Sequence, residues 1–342
     1  MAGDAIVGVV LAAGMGRRLG ALGVEYVKTL LPVANEPVIA HHLRLLHSLG
    51  VRRVFVIIGH HADQVELALG TGERYGMDLQ YIRQAHPLGS AHALASIRKH
   101  VDCPFLLLLG DYYFVASDPH VMVRYLQRGE SCIATKRESS VALIREACAV
   151  EIASDRRVVS IIEKPARPTT DLKGCGFYAL TPEVFDAVAR TPRTALRDEY
   201  ELTVSLELFV QGQNKLFAEE IIEWDSNITL PEDLLQCNLE WLARQQKNNL
   251  VGATAIVDEK IKLDEAVICD GAVVRDGNLL RRVVVFPGAD LSNFDVVEST
   301  LVTPHGLIAC GAPGPHEKLD AKRDPRVLDN HSTGGPRPLN AK

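Results

Sequence analysis

The sequence predicts an α/β chain in which a doubly wound, mostly parallel sheet is followed by a short left-handed parallel β-helix. Two observations carry this reading. Short aliphatic runs alternate with amphipathic segments over the first 110 residues, as in α/β sheets wound on both faces. Aliphatic residues then recur every six positions at Ala255, Ile261, Val267, Val273, Leu279, Val285, Leu291 and Val297. A six-residue period is the mark of hexapeptide rungs stacked into coils.

The elements follow in order. Ala5–Leu11 is an almost unbroken aliphatic run ending at Ala12-Ala13-Gly14, which reads as a central strand entering a loop. Pro37–Leu49 has apolar residues at helical spacing, with His42 in the same register and Gly50 at the expected stop. Val54–Ile58 reads as a strand, His61–Leu69 as a helix, Leu79–Ile82 as a strand, His92–His100 as a helix and Phe105–Leu109 as a strand. Ligands in such sheets sit beyond the carboxyl ends of the strands, where Gly14 and Gly110-Asp111 fall. Ala149–Ile152, Val158–Ile162 and Gly176–Leu180 give a β-rich stretch, and Glu232–Gln246 a long helix. The predicted division is a catalytic domain over 1–248, a β-helix over 249–310 and a disordered tail over 311–342, where Gly, Pro and charge take over.

Composition removes several function classes. The chain has 342 residues, 47% of them hydrophobic and 23% charged, enough for two packed cores. A net charge of −6 gives no basic footprint for nucleic acid. Seven widely spaced cysteines with no C-x-x-C read as reduced thiols, neither a disulfide frame nor a zinc site. The apolar start follows Asp4, not a basic segment, and is too short to span a bilayer. The expectation is a cytoplasmic enzyme with no membrane or nucleic-acid partner. The histidine pairs lack H-E-x-x-H spacing and cysteine partners, so His42 reads as a core residue.

The chemistry begins at Leu11-Ala12-Ala13-Gly14-Met15-Gly16-Arg17-Arg18, with Lys28 ten residues beyond. Glycines after a first strand let backbone N–H groups approach phosphate. Neither G-x-G-x-x-G with an acidic second-strand end nor G-K-[ST] is present, so dinucleotide and P-loop readings fail. A glycine turn with arginines and a lysine suits a triphosphate better than a nicotinamide cofactor.

Leu-Ala-Ala-Gly-x-Gly-x-Arg followed by Lys28-x-x-Leu-Pro-Val resembles the signature loop of sugar-1-phosphate nucleotidylyltransferases. Further motifs follow in that family's order: Gln84-Ala-His-Pro-Leu-Gly89-Ser90-Ala, Gly110-Asp111, Glu163-Lys164-Pro and Gly176-Phe-Tyr. Glu199-Tyr-Glu-Leu-Thr and Trp224-Asp225-x-Asn-Ile-Thr-x-Pro-Glu-Asp-Leu complete the series, so the likeness covers about residues 5–240. It implies the nucleotide-diphospho-sugar transferase fold and attack by a sugar-1-phosphate oxygen on the α-phosphorus of a nucleoside triphosphate, releasing pyrophosphate. The sugar phosphate is already largely a dianion at neutral pH, so no general base is required.

By the same resemblance, Asp111 and Asp225 would ligate Mg²⁺, Arg18 would clamp the β- and γ-phosphates, Lys28 would bridge the triphosphate, and Lys164 would position the sugar phosphate. Leu11, Ala12, Ala13, Gly14, Gly16, Gln84, Gly89 and Ser90 would hold the nucleotide. Gly110, Glu163, Gly176 and Glu199 would hold the sugar phosphate, with Gly176 leaving room for the ring. Arg17 reads as a surface residue. The chain departs from the family at Gly20–Val27, where Pro-Leu-Thr is usual, which predicts a less constrained loop ahead of Lys28. Uridylyl or thymidylyl transfer is favoured over guanylyl or cytidylyl, a sugar-like cyclitol phosphate is an alternative acceptor, and a homo-oligomer is expected. Bifunctional acyl transfer and a silent sugar-nucleotide sensor are the rival readings. No histidine lies inside the rungs to support acyl transfer.

Overall fold

A computed structural model describes residues 6–14, 16–84, 86–194 and 198–311. All but the first residue of the predicted tail lies outside them. The chain runs β1 (Val7–Ala12), α1 (Ala21–Glu25), β2 (Pro32–Val33), β3 (Glu36–Pro37), α2 (Val38–Ser48), β4 (Arg53–Ile58), α3 (Ala62–Leu69), β5 (Asp78–Arg83) and α4 (Ser90–Ala95). It continues through β6 (Phe105–Leu109), β7 (Tyr112–Ala116), α5 (His120–Gln127), β8 (Ser131–Arg137), α6 (Val141–Glu146), β9 (Cys148–Ile152), β10 (Val158–Glu163) and β11 (Leu172–Leu180). Then come α7 (Val184–Arg190), α8 (Leu202–Gln211), β12 (Leu216–Glu220), β13 (Ile222–Asn227) and α9 (Pro231–Arg244). The C-terminal strands are β14 (Asn249–Val251), β15 (Ile256–Val257), β16 (Lys262–Ile268), β17 (Val273–Val285), β18 (Asp290–Thr303) and β19 (Gly306–Ala309). No helix among the described residues is long and apolar enough to cross a membrane.

The large sheet has the order β10-β9-β11-β6-β1-β4-β5, with β8 joining β11 and β12 joining β8. Its β6-β1-β4-β5 half is parallel, as the aliphatic runs predict. The other half is built on β11, which lies antiparallel to β6, β8 and β9. The sheet is therefore mixed, a correction to the mostly parallel expectation. The sequence shows only the second half of β11, Gly176–Leu180, because Gly174 and Gly176 interrupt its apolar run, although all nine residues are buried. The alternate residues of β1 divide between two cores. Val7, Val9 and Leu11 pack with Phe55, Ile57 and Phe105, while Val10 and Ala12 pack with Val54, Val56 and Leu106. A strand buried on both faces is the expected environment of a continuous aliphatic run.

The C-terminal strands pair in parallel at one constant spacing. Asn249 pairs with Ala266, Lys262 with Leu279, and Val273 with Asp290, an offset of 17 residues each time. The six-residue frame therefore slips by one residue per circuit, and Val267 stands beside Val284, not Val285. The extra turning is concentrated at recurrent positive-φ positions: Glu265, Arg282 and Ser299, Asp276 and Asn293, and Gly271 and Gly288. Stacked Ala266, Val283 and Val285 fill its interior, and β19 folds back antiparallel on β18.

A third apolar cluster joins this stack to the loop after β1. Leu19 and Leu22 from the loop, Trp224 from β13 and Leu235 from α9 pack with Val267, Phe286 and Leu301. Tyr26 meets Phe286 edge-on at 5.2 Å between ring centroids, and its phenol also bonds Thr303. The segment Gly20–Val27 is thus not the loose loop its glycines predict. It carries α1, and a Cβ on Gly23 would lie 2.3 Å from the Gly16 carbonyl oxygen. Glycine here serves close backbone approach, not freedom.

Candidate active site

A cavity of about 520 Å³ opens at the carboxyl ends of β1 and β6, within the size range of small-molecule sites. Along one side it is lined by Leu11, Ala12, Ala13, Gly14, Gly16, Arg17 and Arg18. Arg17, set aside from sequence, lines it with its neighbour, and Arg18 faces Glu146 at 3.9 Å with both side chains more than half exposed. Gln84, Gly89 and Ser90 line one end. Glu163, Lys164, Gly176 and Glu199 also line the cavity, joined by Arg193, Asp198, Glu201 and Thr203. The structure thus brings every expected nucleotide- and sugar-phosphate-binding residue to one cavity.

The loop residues are set by short hydrogen bonds. Gly110 N donates to Leu11 O at 2.8 Å, tying the two strand ends together. Ser90 Oγ accepts from Leu202 N at 2.8 Å, joining α4 to the start of α8. Glu163 Oε2 accepts from Thr203 Oγ1 at 2.8 Å. Lys164 adopts a φ of 43°, with its N–H bonded to Ala147 O at 2.8 Å. A residue other than glycine held in this region is strained by its surroundings and is often found at functional sites. Gly176 does line the cavity, but a Cβ there would meet the Tyr112 ring at 3.1 Å. The room it leaves is therefore used by that ring.

The floor holds three groups. Lys28 Nζ lies 2.6 Å from Asp111 Oδ2 and 3.2 Å from Asn227 Oδ1. Asp111 precedes β7 and Asn227 ends β13. These strands pair antiparallel with Tyr112 opposite Asn227, and Ile228 N donates to Asp111 O at 2.9 Å. Two oxygen donors, one just ahead of β7 and one at the end of β13, thus converge on one cationic point.

Asp225, the second expected metal ligand, does not line the cavity. It is buried two residues earlier on β13, and its Oδ1 accepts from Lys173 Nζ at 2.8 Å. Lys136 lies 3.8 Å away, and both lysines also face buried Glu138. Burial lowers the tendency of Lys173 to hold its proton, yet Asp225, Cys175 and Glu138 outweigh it and raise its pKa overall. The carboxylate is already spent on a buried ion cluster, because paired burial is the only economical state for such charges. Asn227 replaces it at the cavity floor. Sequence motifs alone do not single out Asn227, yet it lies in the same motif as Asp225, and alternation puts positions 225 and 227 on one strand face.

His42 and six of the seven thiols are core groups. His42 Nε2–H donates to Tyr112 O at 2.7 Å, and burial pushes its pKa down to about 4. None of the seven cysteines forms a disulfide, and burial raises the Cys148 thiol beside the cavity to about 12. Among the described residues no group of three or more His, Cys, Asp or Glu side chains is arranged to hold a metal by itself.

The sequence profile of the nucleotidyl transferase family matches residues 7–244. The low-salt glycan biosynthesis nucleotidyltransferase Agl11 of Haloferax volcanii is 32% identical over 260 residues, spanning 75% of this chain and 72% of that protein. A glucose-1-phosphate thymidylyltransferase of Streptomyces griseus is 28% identical over 314 residues, spanning 91% of this chain and 81% of its own length. The solved structure of UDP-glucose pyrophosphorylase complexed with UDP-glucose shares the fold at a TM-score of 0.62, covering 70% of this chain and 99% of that one at 18% identity. A mixed α/β sheet, a glycine–arginine loop over a polar cavity and a family match spanning both together show that the chain belongs to the nucleotidyl transferase family, as a sugar-1-phosphate nucleotidylyltransferase.

Proposed function

We propose that this enzyme transfers a uridylyl or thymidylyl group to a hexose-1-phosphate in the cavity between Gln84 and Glu199, releasing pyrophosphate. The convergence of Lys28, Asp111 and Asn227 at its floor carries the reading. Hard oxygen donors from one carboxylate and one amide suit Mg²⁺, which keeps few protein ligands and takes the rest from phosphates and water. Their present occupation by an ammonium group supports the fit of a cation there. Bound Mg²⁺ would neutralise phosphate charge and align the triphosphate.

The chain's own residues then divide the work. Backbone N–H groups of Gly14 and Gly16 and the Arg18 guanidinium bind the β- and γ-phosphates and the departing pyrophosphate. Lys28 neutralises the α-phosphate, and Lys164 aims the sugar phosphate in line behind it. One P–O bond forms to the sugar phosphate and the bond to pyrophosphate breaks. Glu163 and Glu199 accept hydrogen bonds from sugar hydroxyls. The likeness to the glucose-1-phosphate thymidylyltransferase of Streptomyces griseus supports thymidylyl transfer and glucose-1-phosphate as the first acceptor to try.

We further assign 1–248 to catalysis and 249–310 to a short left-handed β-helix, supported by the constant parallel offset of its strands. Seven cysteines without a disulfide suit a reducing cytoplasm. The test is pyrophosphate release from UTP, dTTP, GTP, CTP and ATP with a panel of sugar-1-phosphates and Mg²⁺. Release should require both substrates and be fastest with UTP or dTTP. Equal release without any sugar phosphate would contradict the assignment.

A further inference from the structure

We propose that His92 sets the base preference by fixing the amide of Gln84, so that the site selects bases offering an imide N–H. The inference rests on the proposed function, in which Gln84 meets the base. Gln84 follows β5, with its backbone N bonded to Ile58 O at 2.7 Å and only 8% of the residue exposed. Its Nε2 lies 2.6 Å from His92 Nδ1. A neutral imidazole with its proton on Nε2 accepts at Nδ1, so the glutamine donates there. Gln84 lines the cavity and His92 does not. The amide nitrogen is therefore spent on His92, and the carbonyl oxygen is the group left for a ligand.

A carbonyl oxygen can only accept. Uracil and thymine present N3–H, and guanine presents N1–H, as donors to it. Cytosine N3 and adenine N1 are lone pairs and would face that oxygen unpaired. A buried acceptor set against another acceptor loses its hydrogen bond and its hydration together.

His92 is itself held. Its ring stacks on Tyr200 at 6.2 Å and 27°. Tyr200 is pinned through its own backbone, with its N donating to Leu88 O and its O accepting from Ala91 N, both at 2.8 Å. Gly89, at a φ of +116°, approaches so closely that a Cβ would lie 2.4 Å from Tyr200 O. The Arg193 guanidinium lies 5.6 Å over the same tyrosine ring and pairs with Asp198 at 3.1 Å. His92 is thus a positioning residue in a braced cluster, and its imidazole has little freedom to release the glutamine.

The test uses the full chain and compares kcat/KM for UTP, dTTP, GTP and CTP in wild type, His92→Gln, His92→Phe and His92→Lys, with melting temperature as a folding control. Wild type should prefer UTP over CTP by about 10- to 100-fold. His92→Gln restores an acceptor and should keep much of that ratio. His92→Phe removes it, and the ratio should fall toward unity through the KM for CTP while kcat with UTP stays within about threefold. His92→Lys offers only donors, turns the amide over and should move the preference toward CTP. Unchanged ratios in folded, active Phe and Lys variants would overturn the role of His92. A wild type inactive with every nucleotide would instead overturn the proposed function, so the two failures are told apart.

Discussion

Lys28 Nζ bridges Asp111 Oδ2 and Asn227 Oδ1 at 2.6 and 3.2 Å, tying the loop after β1 to the β7–β13 ribbon. The lysine side chain is almost fully buried, while Asp111 keeps about a third of its surface. Lys28→Met preserves the length of the chain and removes only the charge. Because Asp111 can rehydrate, the variant should fold with a melting temperature near wild type. Its kcat should fall by about 100-fold or more, the size expected for losing one preorganised charge at a reacting phosphate. Steady-state kinetics paired with thermal melts check both halves.

Positions 225 and 227 lie on one strand and should fail in different ways. Asp225→Asn leaves Lys173 and Lys136 with less countercharge in a buried cluster, and breaking such a pairing costs about 3–5 kcal/mol. Asn227→Ala removes a cavity-floor oxygen and should instead raise the Mg²⁺ concentration needed for half-maximal rate, with little loss of stability. Urea titrations and Mg²⁺ titrations of both variants separate the two. The same defect in both would contradict the division.

The C-terminal stack packs against the loop after β1 through Phe286, which is fully buried beneath Tyr26. Phe286→Ala should destabilise by about 3–5 kcal/mol. It should also lower kcat/KM for the nucleotide, because Tyr26 stands two residues before Lys28. Phe286→Leu should recover most of both losses. A Phe286→Ala enzyme with full activity below its melting temperature would show that the stack does not support the loop.

His42 gives the fold a defined acid limit. Burial holds its pKa near 4 against an ordinary 6.5. The unfolded chain therefore takes up a proton in this range that the folded chain does not. The stability involved is complete above about pH 6.5 and is lost as pH falls through 4. His42→Gln removes this titration and can still donate to Tyr112 O. Between pH 7.5 and 4.5, wild type should lose on the order of 2 kcal/mol more than the variant in urea unfolding. Parallel losses would contradict the assignment.

Legibility in the sequence followed the locality of the physics. Val7–Ala12 and Phe105–Leu109 announce themselves because a strand buried on both faces must be aliphatic throughout. The glycine–arginine turn and Gly110-Asp111 stood out at strand ends and Gln84 through the family resemblance, and the structure places all of them on the cavity. β11 was only half visible, since its glycines answer to Tyr112 and Cys148, residues distant in sequence. The 17-residue circuit read as six-residue rungs because each rung is locally correct and only the pairing of Val267 with Val284 exposes the slip. The pairing of Asp225 is hidden for a related reason: its buried partner Lys173 lies 52 positions away.

The most direct test follows the α-phosphate itself. UTP or dTTP labelled at the α-phosphorus is given to wild type and Asp111→Asn with glucose-1-phosphate and Mg²⁺. In wild type the label should move wholly into a nucleoside diphosphate sugar, the pyrophosphate should stay unlabelled, and Asp111→Asn should be slower by about 100-fold or more. Label in free nucleoside monophosphate, or an Asp111→Asn enzyme as fast as wild type, would contradict nucleotidyl transfer at this cavity.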